Sequence, residues 1–377
     1  MPPLVIDLNK TDDPMDAIHR AVEFLAAGKV VALPTETVYG LAANALSEEG
    51  TRRIREIKSR GADQPFSLAV KSGEDALDYV PNLSPLGLRL ARRCWPGPIT
   101  LVLDGSHPDS LVTQLPKAVQ PMVVKNGTIG LRVPAHKVFD QVCKFSVGPM
   151  ILTSANFAGE PDCTSGTSVV DSLGDQVDLV LDDGPARYGQ ASTVLRIDGN
   201  RYEILREGVY GESALKRMSS FMALVVCTGN TCRSPMAEVL LKKRLAERVG
   251  CSVGDLEEKG IVVASAGVAA MPGAQASPES VETMERAGLD LSDHQSQPVS
   301  DQLLESSDLI LTMTNGHRQA LVAHWPEIAD RTHVIGIDGS DVSDPIGGPL
   351  ELYERCARQI DENLEKWVEK TELGLPE

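Results

Sequence analysis

The chain has 377 residues, of which 42% are hydrophobic and 4% aromatic, and it carries a formal net charge of −17. This length predicts two domains, each able to bury its own core, and no apolar run is long enough to span a membrane. The acidic charge opposes strong direct binding of nucleic acid, because affinity for a phosphate backbone comes mainly from lysine and arginine.

The first predicted elements are a helix and a buried strand that lead into a polar loop. Apolar residues at helical spacing extend over residues 16–27, and a strand follows at 30–33. The segment PTETVYGL, residues 34–41, comes directly after this strand, where open α/β sheets place their ligands. We interpret it as a binding loop that includes Thr37; an ordinary turn with solvated threonines is the alternative.

Cationic side chains come next along the chain. A helix predicted over residues 51–59 brings Lys58 and Arg60 to a loop. Two cations beside a turn are either a solvated helix end or a phosphate-binding site. Arg132 lies in a short strand with apolar neighbours, and an arginine in that position requires an anionic partner.

Later strands of this half repeat the pattern of an apolar segment followed by polar side chains. A strand predicted at 150–152 precedes Ser154 and Asn156, and Ser192 and Arg206 flank the last apolar segments. Such strand ends are where α/β proteins collect ligand contacts. The cations of this half could together neutralise a triphosphate and a carboxylate; they are Lys58, Arg60, Arg132 and Arg206.

Six segments in this order resemble the threonylcarbamoyl-AMP synthase family, which has the YrdC-like fold: ALPTETVYGLAANA, KSRGADQPFSLAV, WPGPITLVL, TIGLRVPAH, TSANFAGEP and the STV...LREG ending. The resemblance covers about residues 16–211. It implies a twisted mixed α/β sheet around a positively lined cavity. It also implies an enzyme that combines L-threonine, bicarbonate and ATP, with Mg²⁺, into threonylcarbamoyl-AMP and pyrophosphate for the threonylcarbamoyl modification of adenosine in tRNA.

The same resemblance implies roles for individual residues. The positions that match ATP contacts are Lys58, Arg60, Gln64, Ser154, Asn156 and Arg206. The positions that match threonine or adenylate contacts are Thr37, Thr128, Arg132 and Ser192. Gly61 and Gln64 stand where the family usually has proline and asparagine, which leaves open whether this loop has the family's geometry.

The middle of the chain predicts a domain boundary. Residues 208–220 carry glycine, serine and charges without apolar periodicity. We therefore predict a domain over 1–211, a linker over 212–220 and a second domain over 221–377. In the second domain, strand patterns alternate with helical ones and predict a flavodoxin-like four-stranded parallel sheet flanked by helices; the strands lie at 222–226, 261–265, 309–312 and 333–337.

The loop after the first of these strands has the features of an anion site. In CTGNTCRSP, residues 227–235, loop amides and the first free amides of the following helix converge on one point. Cys227 stands at the strand end, where the helix dipole favours a thiolate. Arg233 can hold two phosphoryl oxygens, and Ser234 can donate to the thiolate. We therefore interpret Cys227 as a nucleophile rather than a buried structural cysteine.

This half resembles the low-molecular-weight protein-tyrosine-phosphatase family from residue 221 to the C-terminus. The resemblance rests on CTGNTCRSPMAE, SAG at 265–267, DH at 293–294, SDLILTMT at 307–314 and DPIGG at 344–348. It implies phosphoryl transfer to Cys227 without a cofactor, in a phosphate loop that contains Thr228, Gly229, Asn230, Thr231, Cys232, Arg233 and Ser234. It also implies that Asp344 is the general acid, with a solvated loop aspartate as the alternative.

Two positions bear on the substrate of this half, a phosphorylated protein. Ile346 and Gly347 replace the aromatic residues that typical tyrosine phosphatases carry after the Asp-Pro pair, so a phenyl ring loses contact area. Most tyrosine-specific members of the family have an aliphatic residue at the position of Thr231. A threonine at this position resembles the protein-arginine phosphatases of the family. We therefore hypothesise phosphoarginine over phosphotyrosine. Cys232 either forms a reversible disulfide with Cys227 or is a small buried residue.

The remaining expectations concern location and partners. Seven cysteines without regular spacing favour a reducing compartment, so we expect a cytoplasmic protein with no metal site of its own. The first half could hand its product to a tRNA threonylcarbamoyl transferase, and the two halves would use independent substrates. Two alternatives remain: a non-catalytic RNA-binding or regulatory first half, or carbamoyl transfer to another acceptor, although that family's further motifs are missing here.

Overall fold

The computed structural model describes residues 2–59, 61, 64–370 and 373–376. In it the chain divides into two compact units, Met1–Met218 and Ser219–Glu377. Most of the segment 212–220, treated above as a linker, is helix Glu212–Ser219, and its Leu215 is buried in the first unit's core. Leu215 and Met218 are the apolar residues that pack there. Two apolar residues are too few to show helical periodicity in the sequence. The domain limits at 211 and 221 stay a prediction.

The first unit is built around one mixed sheet of eleven strands, as the α/β expectation requires. Its strands are β1 Leu4–Asp7, β2 Val31–Leu33, β3 Gly40–Asn44, β4 Ser67–Ala69, β5 Ile99–Asp104, β6 Val124–Lys125, β7 Thr128–Arg132, β8 Met150–Ser154, β9 Leu179–Asp182, β10 Thr193–Asp198 and β11 Arg201–Arg206. Their order is β1-β9-β2-β3-β8-β4-β7-β5-β10-β11, and β6 pairs with β7.

Helices cover this sheet and complete its two cores. They are α1 Pro14–Ala26, α2 Glu48–Ile57, α3 Gly73–Tyr79, α4 Pro85–Cys94, α5 Gln120–Val123, α6 Lys137–Phe145, α7 Gly166–Leu173 and α8 Glu212–Ser219. Successive strand residues point to opposite faces, so Leu41 joins one core cluster and Ala42 the other. Because both faces are buried, the central strands are apolar throughout and polar side chains collect at their ends.

The second unit is a four-stranded parallel sheet in the order β13-β12-β14-β15, which confirms the predicted sheet. Its strands are β12 Phe221–Cys227, β13 Ile261–Gly267, β14 Leu309–Thr312 and β15 Thr332–Val334. Its helices are α9 Arg233–Val249, α10 Pro278–Arg286, α11 Asp301–Ser306, α12 Asn315–His324 and α13 Leu350–Lys370. Parallel strands that alternate with helices bring the loops after β12, β13 and β14 to one edge of the sheet.

The last strand differs from its predicted position. It ends at Val334 rather than at residue 337, because the chain folds back on itself at Gly336. A Cβ at Gly336 would lie 2.2 Å from the Ser340 carbonyl oxygen, so this tight turn excludes a side chain. Across the part of the chain that the structure describes, no helix is both long and apolar enough to cross a membrane.

Candidate active sites

A cavity of about 290 Å³ opens in the first unit where the ends of several strands meet. Its walls come from the loop before β3, from β7 and β8, and from the segments around β10 and β11. Five of the residues predicted for substrate binding line it: Thr128, Arg132, Ser154, Ser192 and Arg206. Two guanidinium groups and several hydroxyls therefore face one small polar space, which suits an anionic ligand.

Arg132 has the anionic partner that its buried position requires. Its Nη2 donates to Oε1 of Glu36 at 2.9 Å and to Oγ1 of Thr37 at 2.8 Å. Glu36 is 3% exposed and Arg132 is 8% exposed, so the ion pair is almost fully desolvated. Removing one partner of such a pair costs about 3–5 kcal/mol. Glu36 was not predicted as a site residue, although it is the single carboxylate in the predicted loop PTETVYGL.

The second guanidinium of the cavity, that of Arg206, is held by Ser192. Arg206 Nη2 donates to the Ser192 carbonyl oxygen at 2.8 Å and to Ser192 Oγ at 3.1 Å. Ser192 Oγ also lies 3.1 Å from Thr100 Oγ1. Thr128 donates to the Lys125 carbonyl oxygen at 2.8 Å within its own turn. These contacts fix the cavity wall before any ligand enters.

Lys58 is buried, and it joins the end of α2 to the loop after β8. Its Nζ donates to the carbonyl oxygen of Asn156 at 2.6 Å, to Asn156 Oδ1 at 2.7 Å and to the Ser154 carbonyl oxygen at 3.1 Å. Ser154 Oγ donates to Asn156 Oδ1 at 2.6 Å. The structure thus brings these three predicted residues together, and of the three Ser154 lines the cavity.

The last two residues predicted to bind ATP are Arg60 and Gln64. Arg60 lies outside the described residues. Gln64 is exposed, its backbone N–H donates to the Gly61 carbonyl oxygen at 3.3 Å, and it is not among the residues that line the cavity. The contact of Gln64 with ATP therefore stays a prediction.

In the second unit, the loop between β12 and α9 surrounds a buried thiol. Cys227 is the last residue of β12 and is 3% exposed. The backbone N–H of Asn230 donates to its Sγ at 3.2 Å, and Ser234 Oγ lies 3.0 Å from the same atom. A backbone amide and a hydroxyl therefore converge on the sulfur.

Asn230 keeps this loop in shape. It is fully buried and adopts a left-handed backbone with φ of 55°, a conformation that asparagine tolerates better than most residues. Its Nδ2 donates to Ser234 Oγ and Ser265 Oγ, each at 2.9 Å. Its Oδ1 accepts from the Gln297 backbone N–H at 2.8 Å, and its carbonyl oxygen lies 2.8 Å from His294 Nε2. Gln297 was not predicted from the sequence, since it reaches Asn230 through its backbone N–H alone.

Gly267, at the end of β13, packs directly under the loop. A Cβ there would lie 2.5 Å from the Thr228 carbonyl oxygen and 2.9 Å from the Asn230 nitrogen. We expect Gly267→Ala to push the loop outward and to lower kcat/KM for an aryl phosphate by about 100-fold, since misplacement by about 1 Å has that effect. Gly254→Ala, where the added Cβ has only Ser252 Oγ nearby at 3.7 Å, is the matched control. Equal activity of both variants would contradict this explanation.

Arg233 and Asp344 form an ion pair beside the thiol loop. Arg233 begins α9, its side chain is 6% exposed, and its Nη2 donates to Asp344 Oδ2. Its Nη1 donates to the Val342 carbonyl oxygen at 3.2 Å. The Asp344 side chain is 41% exposed and accepts from the Ile346 backbone N–H at 3.3 Å. The structure therefore brings the predicted guanidinium and the predicted acid into direct contact.

The remaining loop residues differ in exposure. Thr228 is exposed and Gly229 half-buried, and Thr231 Oγ1 lies 3.7 Å from the Sγ of buried Cys232. Cys232 and Cys227 are both free thiols, so their disulfide stays a prediction. Ile346, which replaces an aromatic wall in the resemblance, is 69% exposed.

Comparison with known protein families gives a separate match for each half. The model of the Sua5, YciO and YrdC family, described as telomere recombination, matches residues 23–208. The model of the low molecular weight phosphotyrosine protein phosphatase family matches residues 222–374. Between them the two matches leave out mainly the N-terminal residues and the segment 209–221.

Individual relatives agree with these matches. Threonylcarbamoyl-AMP synthase from Pyrococcus abyssi is 37% identical over 193 residues, which are 51% of this chain and 54% of the relative. The chain thus spans about half the length of that relative. Protein-arginine-phosphatase from Bacillus subtilis is 40% identical over 146 residues, which are 37% of this chain and 90% of the relative.

One solved structure is similar in fold to this chain. The crystal structure of P. abyssi Sua5 complexed with L-threonine has a TM-score of 0.51 and 24% identity, and the match covers 71% of this chain and 92% of that one. This chain therefore belongs to the Sua5, YciO and YrdC family in its first half and to the low molecular weight phosphotyrosine protein phosphatase family in its second half.

Proposed function

We propose that the first unit makes threonylcarbamoyl-AMP and pyrophosphate from L-threonine, bicarbonate and MgATP. The observation that carries this proposal is the small cavity in which Arg132 and Arg206 meet hydroxyl groups. Glu36 and Thr37 occupy one amino group of Arg132 and fix its orientation, so the rest of the guanidinium is directed for a carboxylate. The family of the first half and the name of its Pyrococcus relative support the same assignment.

The chemistry needs positioning more than a side-chain nucleophile. The threonine nitrogen bonds to the carbon of bicarbonate with loss of water, which gives a carbamate. A carbamate oxygen then bonds to the α-phosphorus of ATP, and the bond to pyrophosphate breaks. Negative charge develops on the leaving pyrophosphate, and fixed cations at the cavity stabilise it without reorganisation. The product would serve a tRNA threonylcarbamoyl transferase.

Pyrophosphate release by the full chain tests this proposal. Release that requires L-threonine, bicarbonate and MgATP together supports the synthase assignment. Mass spectrometry of the nucleotide product should show threonylcarbamoyl-AMP. Pyrophosphate release without threonine, or no release under any combination, would contradict it. In the second case, binding of RNA at physiological salt would favour the alternative of a non-catalytic binding module.

For the second unit we propose a protein phosphatase that works through a cysteinyl phosphate. Cys227 Sγ attacks phosphorus, the bond to the leaving group breaks, and Asp344 gives that group a proton. Asp344 then takes a proton from water, whose oxygen bonds to phosphorus while the S–P bond breaks. The support is the placement of a buried thiol, a guanidinium and a carboxyl around one loop. The two units act on independent substrates in one bifunctional chain.

The substrate of this unit is phosphoarginine in a protein, with phosphotyrosine as the alternative. Thr231 and the missing aromatic wall after Asp344 support this choice, as does the name of the Bacillus relative. We expect Thr231→Ile to lower kcat/KM for a phosphoarginine peptide at least about tenfold relative to a phosphotyrosine peptide, because the hydroxyl that orients water is lost. Thr231→Ser keeps the hydroxyl and should keep the preference. A wild-type preference for phosphotyrosine would refute the assignment.

A further inference from the structure

His317 lies next to the phosphatase loop, on helix α12, and both of its ring nitrogens contact hydroxyl groups. Its Nε2 is 2.8 Å from Oγ1 of Thr228, the residue after the nucleophile. Its Nδ1 is 3.0 Å from Oγ1 of Thr314, the N-cap of α12. His317 is 9% exposed, whereas Thr228 is exposed at the surface of the loop. The imidazole therefore connects the start of α12 with a loop side chain adjacent to the thiol.

The protons of these three groups can be assigned from their contacts. Thr314 Oγ1 already accepts from the His317 backbone N–H at 3.2 Å as the helix cap. Its own proton has His317 Nδ1 as acceptor among the described contacts. With Nδ1 accepting, the neutral ring carries its proton on Nε2 and donates it to Thr228. The Thr228 proton then remains available at the exposed end of the chain of hydrogen bonds.

The opposite tautomer is less favourable next to an anion. If Nδ1 carried the proton, Thr228 would donate to Nε2 and could offer a phosphoryl oxygen no proton. It would also leave the Thr314 proton without an acceptor on a less exposed residue. A phosphoryl dianion accepts hydrogen bonds and cannot donate them, so its arrival favours the tautomer in which Thr228 is the donor.

The surroundings keep the ring neutral. Burial, and then the positive charge of Arg233, lower the pKa of the His317 imidazole below its ordinary value. Asp344 and Asp341 act in the opposite direction and raise this pKa. A neutral imidazole in the free enzyme has one proton to place, so its hydrogen-bond partners determine which nitrogen holds it.

We propose that His317 is a positioning residue of the phosphatase unit: it donates its Nε2 proton to Thr228 and so directs the Thr228 hydroxyl as a donor to a phosphoryl oxygen in the loop. This inference rests on the proposed phosphatase function. It makes the Thr228 side chain a donor to the phosphoryl group, in addition to the backbone amides of the loop. It also gives α12, which carries none of the residues predicted from the sequence, a part in substrate binding.

Nitrogen NMR of the full chain tests the tautomer directly. With histidine labelled by ¹⁵N and inorganic phosphate as the probe, the His317 ring should show a protonated Nε2 and an unprotonated Nδ1. The spectrum of His317→Gln assigns the signals, because it removes this ring alone. A protonated Nδ1 with phosphate bound would overturn the proposal.

Direct binding of inorganic phosphate to the full chain, measured by titration, tests the coupling of the two residues. We expect Thr228→Val and His317→Ala each to weaken phosphate binding roughly tenfold, the usual effect of one hydrogen bond to a charged group. The double variant should be no weaker than either single variant, because both remove the same donor. His317→Gln, which retains a donor near the Nε2 position, should recover most of the affinity. His324→Gln, at an exposed position of the same helix, is the matched control.

The outcomes separate this inference from the function on which it rests. Additive losses in the double variant, or unchanged phosphate binding by Thr228→Val, would overturn the positioning role even in an active phosphatase. Nonadditive losses of phosphate binding in a chain that hydrolyses neither phosphoarginine nor phosphotyrosine would refute the proposed substrate and retain the positioning role.

Discussion

Replacing Cys227 by serine is expected to reduce hydrolysis of phosphorylated substrates by roughly 10⁴-fold or more. The Asn230 amide and the Ser234 hydroxyl converge on the sulfur and hold it in the loop. A serine hydroxyl is far less acidic than a thiol, and the same donors do not make it an effective nucleophile. Pyrophosphate release by the first unit should stay within about twofold of the wild type, because the two units have separate cores. Steady-state assays of both reactions on one preparation check the prediction.

The matched control is Cys251→Ser, which changes a half-buried cysteine of the same unit outside the loop. This variant should retain phosphatase activity. Acid quenching of the wild type during turnover should give a protein heavier by one phosphoryl group, and the adduct should be absent from Cys227→Ser. An adduct that maps to another residue, or substantial hydrolysis by Cys227→Ser, would show that the nucleophile lies elsewhere.

Replacing Lys58 by methionine is expected to lower pyrophosphate release by about 10²- to 10³-fold, comparable to the loss of one preorganised electrostatic contact. The ammonium contacts the carbonyl oxygens of Ser154 and Asn156 and the Asn156 side chain, so it holds the loop that follows β8. Methionine has a similar length but leaves these oxygens without a charged donor. Because Lys58 is buried, we also expect a loss of about 1–3 kcal/mol in stability.

Lys144→Met is the control, since Lys144 is exposed and pairs with Asp140 on the surface of the same unit. It should leave pyrophosphate release unchanged. Lys58→Arg should not restore activity, because a planar guanidinium does not fit the point where several oxygens converge on one ammonium. Retention of a third or more of the wild-type rate by a folded Lys58→Met protein would show that the loop keeps its geometry without this cation.

Local sequence patterns predicted most of the fold. The strand before the thiol loop was predicted at 222–226 and is Phe221–Cys227, because a fully buried parallel strand is a continuous apolar run. The helix over 16–27 is Pro14–Ala26, where Asp13 caps the first turn. Helix α8 escaped prediction because its apolar side is only two residues wide, and its burial depends on contacts with distant parts of the first unit.

The sites were predictable where chemistry is concentrated in one segment. Cys227 and Arg233 lie in a single loop, so their spacing already indicates their proximity. Glu36 and Arg132 are far apart in the chain, and sequence alone could require a partner for the arginine but could not choose it. The backbone of Gln297 and the ring of His317 reach the phosphatase loop through the packing of β13 and β14, which spacing along the chain does not reveal.

Because Arg233 pairs with Asp344, we expect substrate entry to replace one anion, the Asp344 carboxylate, with another, the phosphoryl group. In this structure the Asp344 carboxylate already pairs with the Arg233 guanidinium, so we expect an arriving phosphoryl group to displace it. The free energy lost with that contact reduces the affinity for every phosphoryl ligand, including the inorganic phosphate that forms at the end of the cycle. When phosphate departs, we expect Asp344 to return to Arg233. The site would then hold its own competitor for the product, and this competitor would speed product release.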